Sequence, residues 1–297
     1  MALNLYLPSS TTATVVAPGA GACAALGLTA LQARGVRGAG IRIGLVDSGV
    51  DTRCAGLAGA RIITLDRTGA AAGGMPILIP HGTWMAGIMV GKQIAICPDA
   101  AIVSVQAFTA PDSGYLADGI DVALKNNVDI INISGGQVER DPRLTELVQR
   151  ACDDGVVVVA AADNTNPMSS LYPACQGGVL GVTNGSLDGI LVHPGVPGWV
   201  RLAGLGVGVT TYQGDVLVRQ TGTSEATAVV SAVCALLLGV VPAARRREAG
   251  KQLSDVLYST GAPTANSKKQ CRVVQPARAL DEICRRFAVA LHPAAVT

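Results

Sequence analysis

Residues 220–247 read QTGTSEATAVVSAVCALLLGVVPAARRR, and two folds compete for them. From Ala226 to Ala244 no side chain is charged, and three arginines follow. About 20 apolar residues are enough to cross a bilayer, so length alone allows a membrane span with a basic stop. The other reading is a helix buried inside a soluble domain, carrying a reactive serine at its start. The rest of the chain decides between them.

Composition narrows the classes. At 297 residues, about three quarters of the unfolded chain's surface can be buried, so a large core forms without metals or disulfides. Hydrophobic residues make up 49% but aromatics only 3%, which leaves Ala, Val, Leu and Ile to fill that core. The 36 glycines imply many tight turns or close backbone approaches. A net charge of +2 with both signs scattered argues against nucleic acid, whose binders concentrate positive charge. None of the eight cysteines forms a CxxC pair, so a zinc ribbon or a thioredoxin-type motif is not expected. The even count permits disulfides without demanding them. Cys152 and Cys234 fall in mostly apolar helical runs and read as buried thiols. The start, MALNLYLPSSTTATVV, lacks a basic region and makes a poor signal peptide; a cytoplasmic location is expected, with secretion as the alternative.

Outward from the opening stretch the chain alternates. GIRIGLVD (40–47), RIITL (61–65), AIVSVQAF (101–108), VDIINIS (128–134) and VVVVAAA (156–162) read as buried strands. TWMAGIMVG (83–91), YLADGIDVALKNN (115–127) and PRLTELVQRACDDG (142–155) read as helices between them. In the last, Leu144, Leu147, Val148 and Ala151 repeat at i, i+3, i+4, i+7, and Gly155 supplies the stop. Near-continuous apolar strands alternating with helices imply α/β: a three-layer, doubly wound, mostly parallel sheet with helices on both faces. Beyond about residue 178 the strands shorten; GVTTYQGDVLVRQ reads as a hairpin turning at Gln213–Gly214. A further helix is expected over 245–258 and another in ARALDEICRRF.

Cleaving an amide with a serine requires a nucleophile, an imidazole base, a carboxylate that orients the base, and donors for the oxyanion. Three segments offer such groups. VDSGVD places Asp47 at the carboxyl end of a strand, where open α/β sheets put their functional groups. HGTWMAG places His81 just before a helix, with Gly82 allowing close backbone approach. TGTSEATA places Ser224 at the start of the long apolar helix, beside unpaired N–H groups and the positive end of the helix dipole. Each has a plainer reading: a helix-capping serine, a structural histidine, or an acid that binds a nucleotide ribose. No GxGxxG follows a strand to support the last. His193 and His292 have no motif and read as solvated, and Arg245–Arg247 as the exposed start of a helix.

Taken together, in the order Asp, His, Ser, these segments resemble the subtilisin-like serine proteases, or subtilases. The resemblance runs from about Gly38 to Leu280 and includes GAGIRIGLVDSGVD, PHGTWMAGIMVG, VDIINISGG, VVVVAAADNTNP and TGTSEATAVVSAVCALLL. It implies a catalytic triad of Asp47, His81 and Ser224, with the Asn164 side chain and the Ser224 N–H binding the oxyanion. It further implies that Ser134, Gly135 and Gly136 pair with substrate backbone. With Ala161, Ala162 and Asp163 they wall the pocket for the residue before the cut. The peptide bond Tyr172–Pro173 sits where relatives have a cis proline. The implied organisation is an N-terminal extension over 1–35 that is not a full prodomain, a catalytic domain over 36–290, and a tail over 291–297.

The chain departs from the family at several points. Trp84 replaces a second histidine and Ala228 a proline. Asp163 stands where a glycine usually precedes the oxyanion Asn, and could repel developing charge or select a basic substrate residue. The SGG of the 128–136 strand is one residue short, which opens the cleft. Gly91–Ala101 is short and holds one carboxylate, Asp99, too few oxygens for a tight calcium site; neither metal nor cofactor is expected. The function that follows is a serine endopeptidase acting on a specific peptide or protein, with maturation of a ribosomal peptide precursor as a variant. The alternatives are a subtilase scaffold that binds peptides without cutting them, or one that transfers the acyl group to an amine and cyclises the product. No membrane partner is expected, and the sequence does not fix the oligomeric state.

Overall fold

The strand–helix alternation folds around one large sheet. The computed structural model describes residues 21–72, 79–108, 115–166, 168–267 and 271–291. Helices α1 (Ala22–Ala25) and α2 (Thr29–Ala33) precede β1 (Arg42–Asp47) and β2 (Arg61–Asp66). Then come α3 (His81–Val90), β3 (Ala101–Gln106), α4 (Leu116–Lys125), β4 (Ile130–Ile133), α5 (Pro142–Asp153), β5 (Val157–Ala161), β6 (Leu180–Gly185) and β7 (Leu202–Leu205). A hairpin of β8 (Val209–Gln213) and β9 (Val216–Gln220) leads into α6 (Thr223–Gly239). The chain closes with α7 (Arg246–Thr260), β10 (Ala262–Pro263), β11 (Arg272–Val273) and α8 (Pro276–Phe287).

Nine strands pair in the order β10-β11-β7-β6-β5-β4-β1-β3-β2. Every pairing is parallel except that of β10 with β11. β1 sits where the winding reverses, with β3 and β2 to one side and β4 to β7 on the other. Such a reversal opens a crevice at the carboxyl ends of the strands. Helices α4 and α5 cover one face, packing on Val46, Val105, Ile131 and Val158. Helices α3, α6, α7 and α8 build the other, over Ile43, Leu45, Ile130 and Val159. Ile43 and Leu45 thus face one layer and Val46 the other, as the two-residue period of a strand requires. Asp47 continues the row of Ile43 and Leu45, toward α3.

Local signals account for the helix ends. Asp141 caps α5, its carboxylate accepting the Arg143 and Leu144 N–H groups, and Pro142 occupies the first turn. The expected stop holds: Gly155 has φ +77°, and its N–H bonds the Cys152 carbonyl while Val156 N–H bonds that of Ala151. This is the Schellman arrangement, which needs a left-handed residue.

Helix α6 answers the opening question. Of its residues only Ser224 and Gly239 escape full burial, because the sheet lies beneath it and α3, α7 and α8 pack around it. A helix enclosed on all sides has no polar stripe to display. Among the described residues, no helix is long and apolar enough to cross a membrane. The helix ends at Gly239, three residues before Pro242, and the arginines open the next surface element.

Several expectations shift. Helix α3 begins at His81 rather than after it, because the Ser48 hydroxyl accepts the Gly82 N–H and satisfies a donor of its first turn. The β8–β9 turn is Gly214–Asp215, one residue later than expected. Residues 22–33 of the expected extension are not loose: Cys23 and Leu28 are buried against the main core. Cys152 is only half-buried, whereas Cys234 is enclosed, and all eight cysteines are free thiols. Tyr172–Pro173 is cis, as the resemblance implies. Residues 1–20, His292 and nearly all of the expected tail lie outside the described residues.

Gly155 offers a test of this architecture. A Cβ there would meet the Arg247 carbonyl oxygen at 2.2 Å, and L-residues resist its φ. Gly155→Ala is expected to lower the unfolding free energy by about 1–3 kcal/mol, measured by urea denaturation.

Candidate active site

The carboxyl end of β1 and the start of α3 meet at a buried ion–dipole contact. Asp47 is 0% exposed and His81 7%. The imidazole Nδ1–H donates to Asp47 Oδ1 at 2.8 Å, with Oδ2 at 3.0 Å. Asp47 Oδ1 also accepts the Ser48 N–H at 2.7 Å. The close approach of α3 depends on Gly82: a Cβ there would lie 2.4 Å from the Gly49 carbonyl oxygen. Ser48 ties the two segments, accepting from Gly82 N–H and donating to the Ile79 carbonyl. Trp84, one turn on, has its ring centroid 6.1 Å from that of His81. Burial by itself would lower the His81 pKa and is the largest influence; the charge and hydrogen bond of Asp47, helped by Glu225, outweigh it and leave the pKa raised. With Nδ1 engaged, Nε2 is the nitrogen left for proton transfer.

Ser224 is the second residue of α6, and a ladder of polar groups fastens that helix to β4. Ser231 Oγ donates to Asn132 Oδ1 at 2.8 Å, Asn132 Nδ2 donates to Ser134 Oγ at 3.0 Å, and Ser134 Oγ donates to the Ser224 carbonyl at 3.2 Å. Inside an apolar interface such groups must be paired, so the ladder holds the helix in one register. The Ser224 hydroxyl itself donates to the Ser134 carbonyl at 3.1 Å.

Asn164 follows β5 in a loop that its neighbour organises. Asp163 Oδ1 accepts from Thr165 N–H, Asn166 N–H and the Thr165 hydroxyl, and Oδ2 accepts from Ser169. Burial raises the Asp163 pKa, but these hydrogen bonds together hold it below the ordinary carboxylate value. Both oxygens are therefore committed to the loop. Asn164 Oδ1 accepts the Thr223 N–H at 2.9 Å, which orients its amide, and among the described residues Nδ2 has no hydrogen-bond acceptor.

His81, Ser134, Gly135, Ala161, Ala162, Asp163, Asn164, Leu171, Thr223 and Ser224 line a cleft that opens to solvent. The sequence-derived residues converge there with two qualifications. Asp47 sits behind His81, and Gly136 is not among the lining residues, Leu171 Cγ lying 2.6 Å from the position a Cβ on it would take. Leu171, Thr223 and Glu225 escaped the sequence reading. Leu171 carries no motif. Thr223 enters through its backbone, which no side-chain pattern reveals. Glu225 was visible as the one charge of α6. His193 lies half-buried in its loop, away from the cleft lining. The single carboxylate of the shortened 91–101 segment, Asp99, is paired with Arg37 at 2.7 Å.

Comparison with known proteins places this geometry. A family model described as the subtilase family matches residues 38–272. A thermostable alkaline protease of Halalkalibacterium halodurans is 30% identical over 245 residues, covering 78% of this chain and 66% of that protein. Subtilisin DY of Bacillus licheniformis is 27% identical over 252 residues, 78% of this chain and 88% of its own. Among solved structures, the self-cleaved protease domain of PatA superposes with a TM-score of 0.68 at 25% identity, covering 82% of this chain and 96% of that one. The prenylagaramide maturation protease PagA gives a TM-score of 0.73 at 21% identity, covering 85% and 98%, a likeness of fold.

The Asp163 loop makes a measurable claim. Asp163→Ala leaves its donors unpaired and is expected to cost about 1–3 kcal/mol in urea unfolding at neutral pH. Because the folded pKa lies below the unfolded one, near 3.9, the carboxylate's contribution is present above that value. It fades as pH falls through the lower, folded value. The gap between the variant and the unsubstituted protein should therefore close on strong acidification.

Proposed function

The chain belongs to the subtilase family of serine proteases, and on that footing we propose that it hydrolyses peptide bonds through an acyl-enzyme on Ser224. The observation that carries this reading is the buried Asp47–His81 pair at 2.8 Å, on the same cleft as Ser224 and Asn164. Ser224 Oγ attacks the scissile carbonyl while His81 Nε2 takes its proton and then delivers it to the leaving amine. Asp47 holds the tautomer with Nε2 bare and stabilises the imidazolium. The oxyanion is met by Asn164 Nδ2 and the Ser224 N–H, at the positive end of α6. Water then attacks the acyl-enzyme by the reverse proton path. Substrate backbone runs along Ser134–Gly136, and Ala161, Ala162 and Leu171 give the pocket small and apolar walls. Asp163 serves the loop that carries Asn164 rather than a basic substrate residue.

The finer reading is a processing protease that matures a ribosomal peptide precursor. Its support is the likeness to the PatA protease domain at 25% identity. A second reading, a scaffold that binds peptides without cleaving them, is favoured by one contact: the Ser224 hydroxyl donates to the Ser134 carbonyl. In the catalytic reading, rotation about χ1 of Ser224 moves that hydroxyl to His81.

A fluorophosphonate probe separates the two readings. The unsubstituted protein is expected to label and Ser224→Ala to remain unlabelled; equal labelling of both, or of neither, sinks the catalytic reading. Asn164→Ala should lower turnover of a cleaved peptide roughly 10²–10³-fold with little change in KM, the loss that removing this donor causes in subtilisin itself. Products formed with and without an added amine distinguish hydrolysis from acyl transfer.

A further inference from the structure

Leu171, a cleft residue without a motif, lies where two walls of the cleft are joined. One wall is Ser134–Gly136, just beyond β4, and the other is Ala161–Asp163, at the end of β5. The segment that carries Leu171 is tied to both. Gln137 N–H donates to the Tyr172 carbonyl at 2.9 Å and Tyr172 N–H to the Gln137 carbonyl at 2.8 Å. On the other side, the Ser169 hydroxyl donates to Asp163 Oδ2 at 2.9 Å. The Leu171 carbonyl itself accepts the Cys175 N–H. So anchored, the leucine is 7% exposed. Its Cγ and Cδ2 lie 2.6 and 2.9 Å from the position a Cβ on Gly136 would take. The leucine fills the space that a side chain at 136 would claim.

The walls themselves are backed. Phe108, buried in the core, has its Cζ 3.4 Å from the position of a Cβ on Gly135. Ala161 pairs with Val182 of β6, and Ala162 N–H donates to the Val182 carbonyl at 2.8 Å. Added atoms in such packing must displace their neighbours. The free space left in the cleft is about 30 Å³. An apolar cavity that takes up benzene has about 150 Å³. A basic guest finds no counter-ion either. Asp163 spends both oxygens on its own loop, and no other acid lines the cleft.

We propose that Leu171 is the specificity-determining residue of this cleft and restricts the residue before the cut to glycine or alanine. Glycine asks for no room, and alanine adds a single methyl among Ala161, Ala162 and Leu171. A leucine or phenylalanine would have to push aside a side chain whose backbone is anchored on both flanks. Held out of the pocket, its scissile carbonyl would stop short of Asn164 Nδ2 and the Ser224 N–H. The substrate class is then a peptide or protein cut after a glycine or an alanine. The inference rests on the catalytic reading of Ser224, which it deepens.

Two peptidyl diphenyl phosphonates, identical except for an alanine or a phenylalanine analogue at the reactive end, test it. Each is incubated with the protein, and its reaction is read as loss of fluorophosphonate labelling at Ser224. The alanine compound is expected to react about 100-fold faster, a discrimination within the reach of an apolar pocket. Equal rates or a faster phenylalanine compound overturn the proposal. So does a failure of both compounds to react in a protein that takes the fluorophosphonate. Leu171→Gly should shrink the ratio at least about tenfold, through a faster reaction of the phenylalanine compound. An unchanged ratio in a variant that still labels removes Leu171 as the determinant. If that variant does not fold, Leu171→Ala takes its place, and the ratio in the unsubstituted protein still decides. A protein that takes no fluorophosphonate sinks the catalytic reading and this proposal with it; one that labels without the preference refutes the role of Leu171 alone.

Discussion

A hydrogen bond of 2.8 Å between a fully buried aspartate and a nearly buried histidine is the constraint around which this molecule is arranged. Such a pair is costly to enclose unless its remaining polar groups are met, and here they are. Ser48 N–H bonds Asp47, and the Ser48 hydroxyl bridges to Gly82 and Ile79. The two-residue period of β1 turns Asp47 to the same side as α3. Gly82 then lets that helix come near enough for the ring to reach the carboxylate. A larger residue at 82 would push the helix away and strand both groups.

The same economy governs α6. Its apolar jacket supplies the burial, but apolar surfaces slide past one another at little cost. Register comes from the short polar ladder through Ser231, Asn132 and Ser134 to the Ser224 backbone. Each member lies inside the interface, where an unpaired group would cost about 1–3 kcal/mol, so only one alignment satisfies them all. Precision at Ser224 thus derives from a few hydrogen bonds embedded in a large and permissive hydrophobic contact.

Charge near Asn164 and the start of α6 is handled by two different devices. Asp163, conspicuous in the sequence, is absorbed by hydrogen bonds within its own turn and becomes a brace for Asn164. Glu225 is buried at the start of α6, and burial pushes its pKa up against the opposing influence of His81 and of its own N–H. Two acids within a few residues of the proposed catalytic groups therefore do unlike things. The number and kind of donors around each oxygen decide which.

Periodicity was enough to read the parallel sheet and α5 with its glycine stop, whereas the burial of α6 followed only from the pattern of the rest of the chain. The sheet and α5 follow from which faces of a segment are apolar, a property that each segment carries locally. Asp47, His81 and Ser224 were legible through short motifs, since close approach demands particular residue types at particular ends of elements, and Asn164 through the family resemblance. Tertiary structure alone decided that Leu171 packs against Gly136, that the Asp163 oxygens are already occupied, that Thr223 anchors Asn164, and that Glu225 is buried. Each of these depends on groups brought together from distant parts of the chain. Burial and hydrogen bonding are properties of that assembled neighbourhood, and no local pattern encodes them.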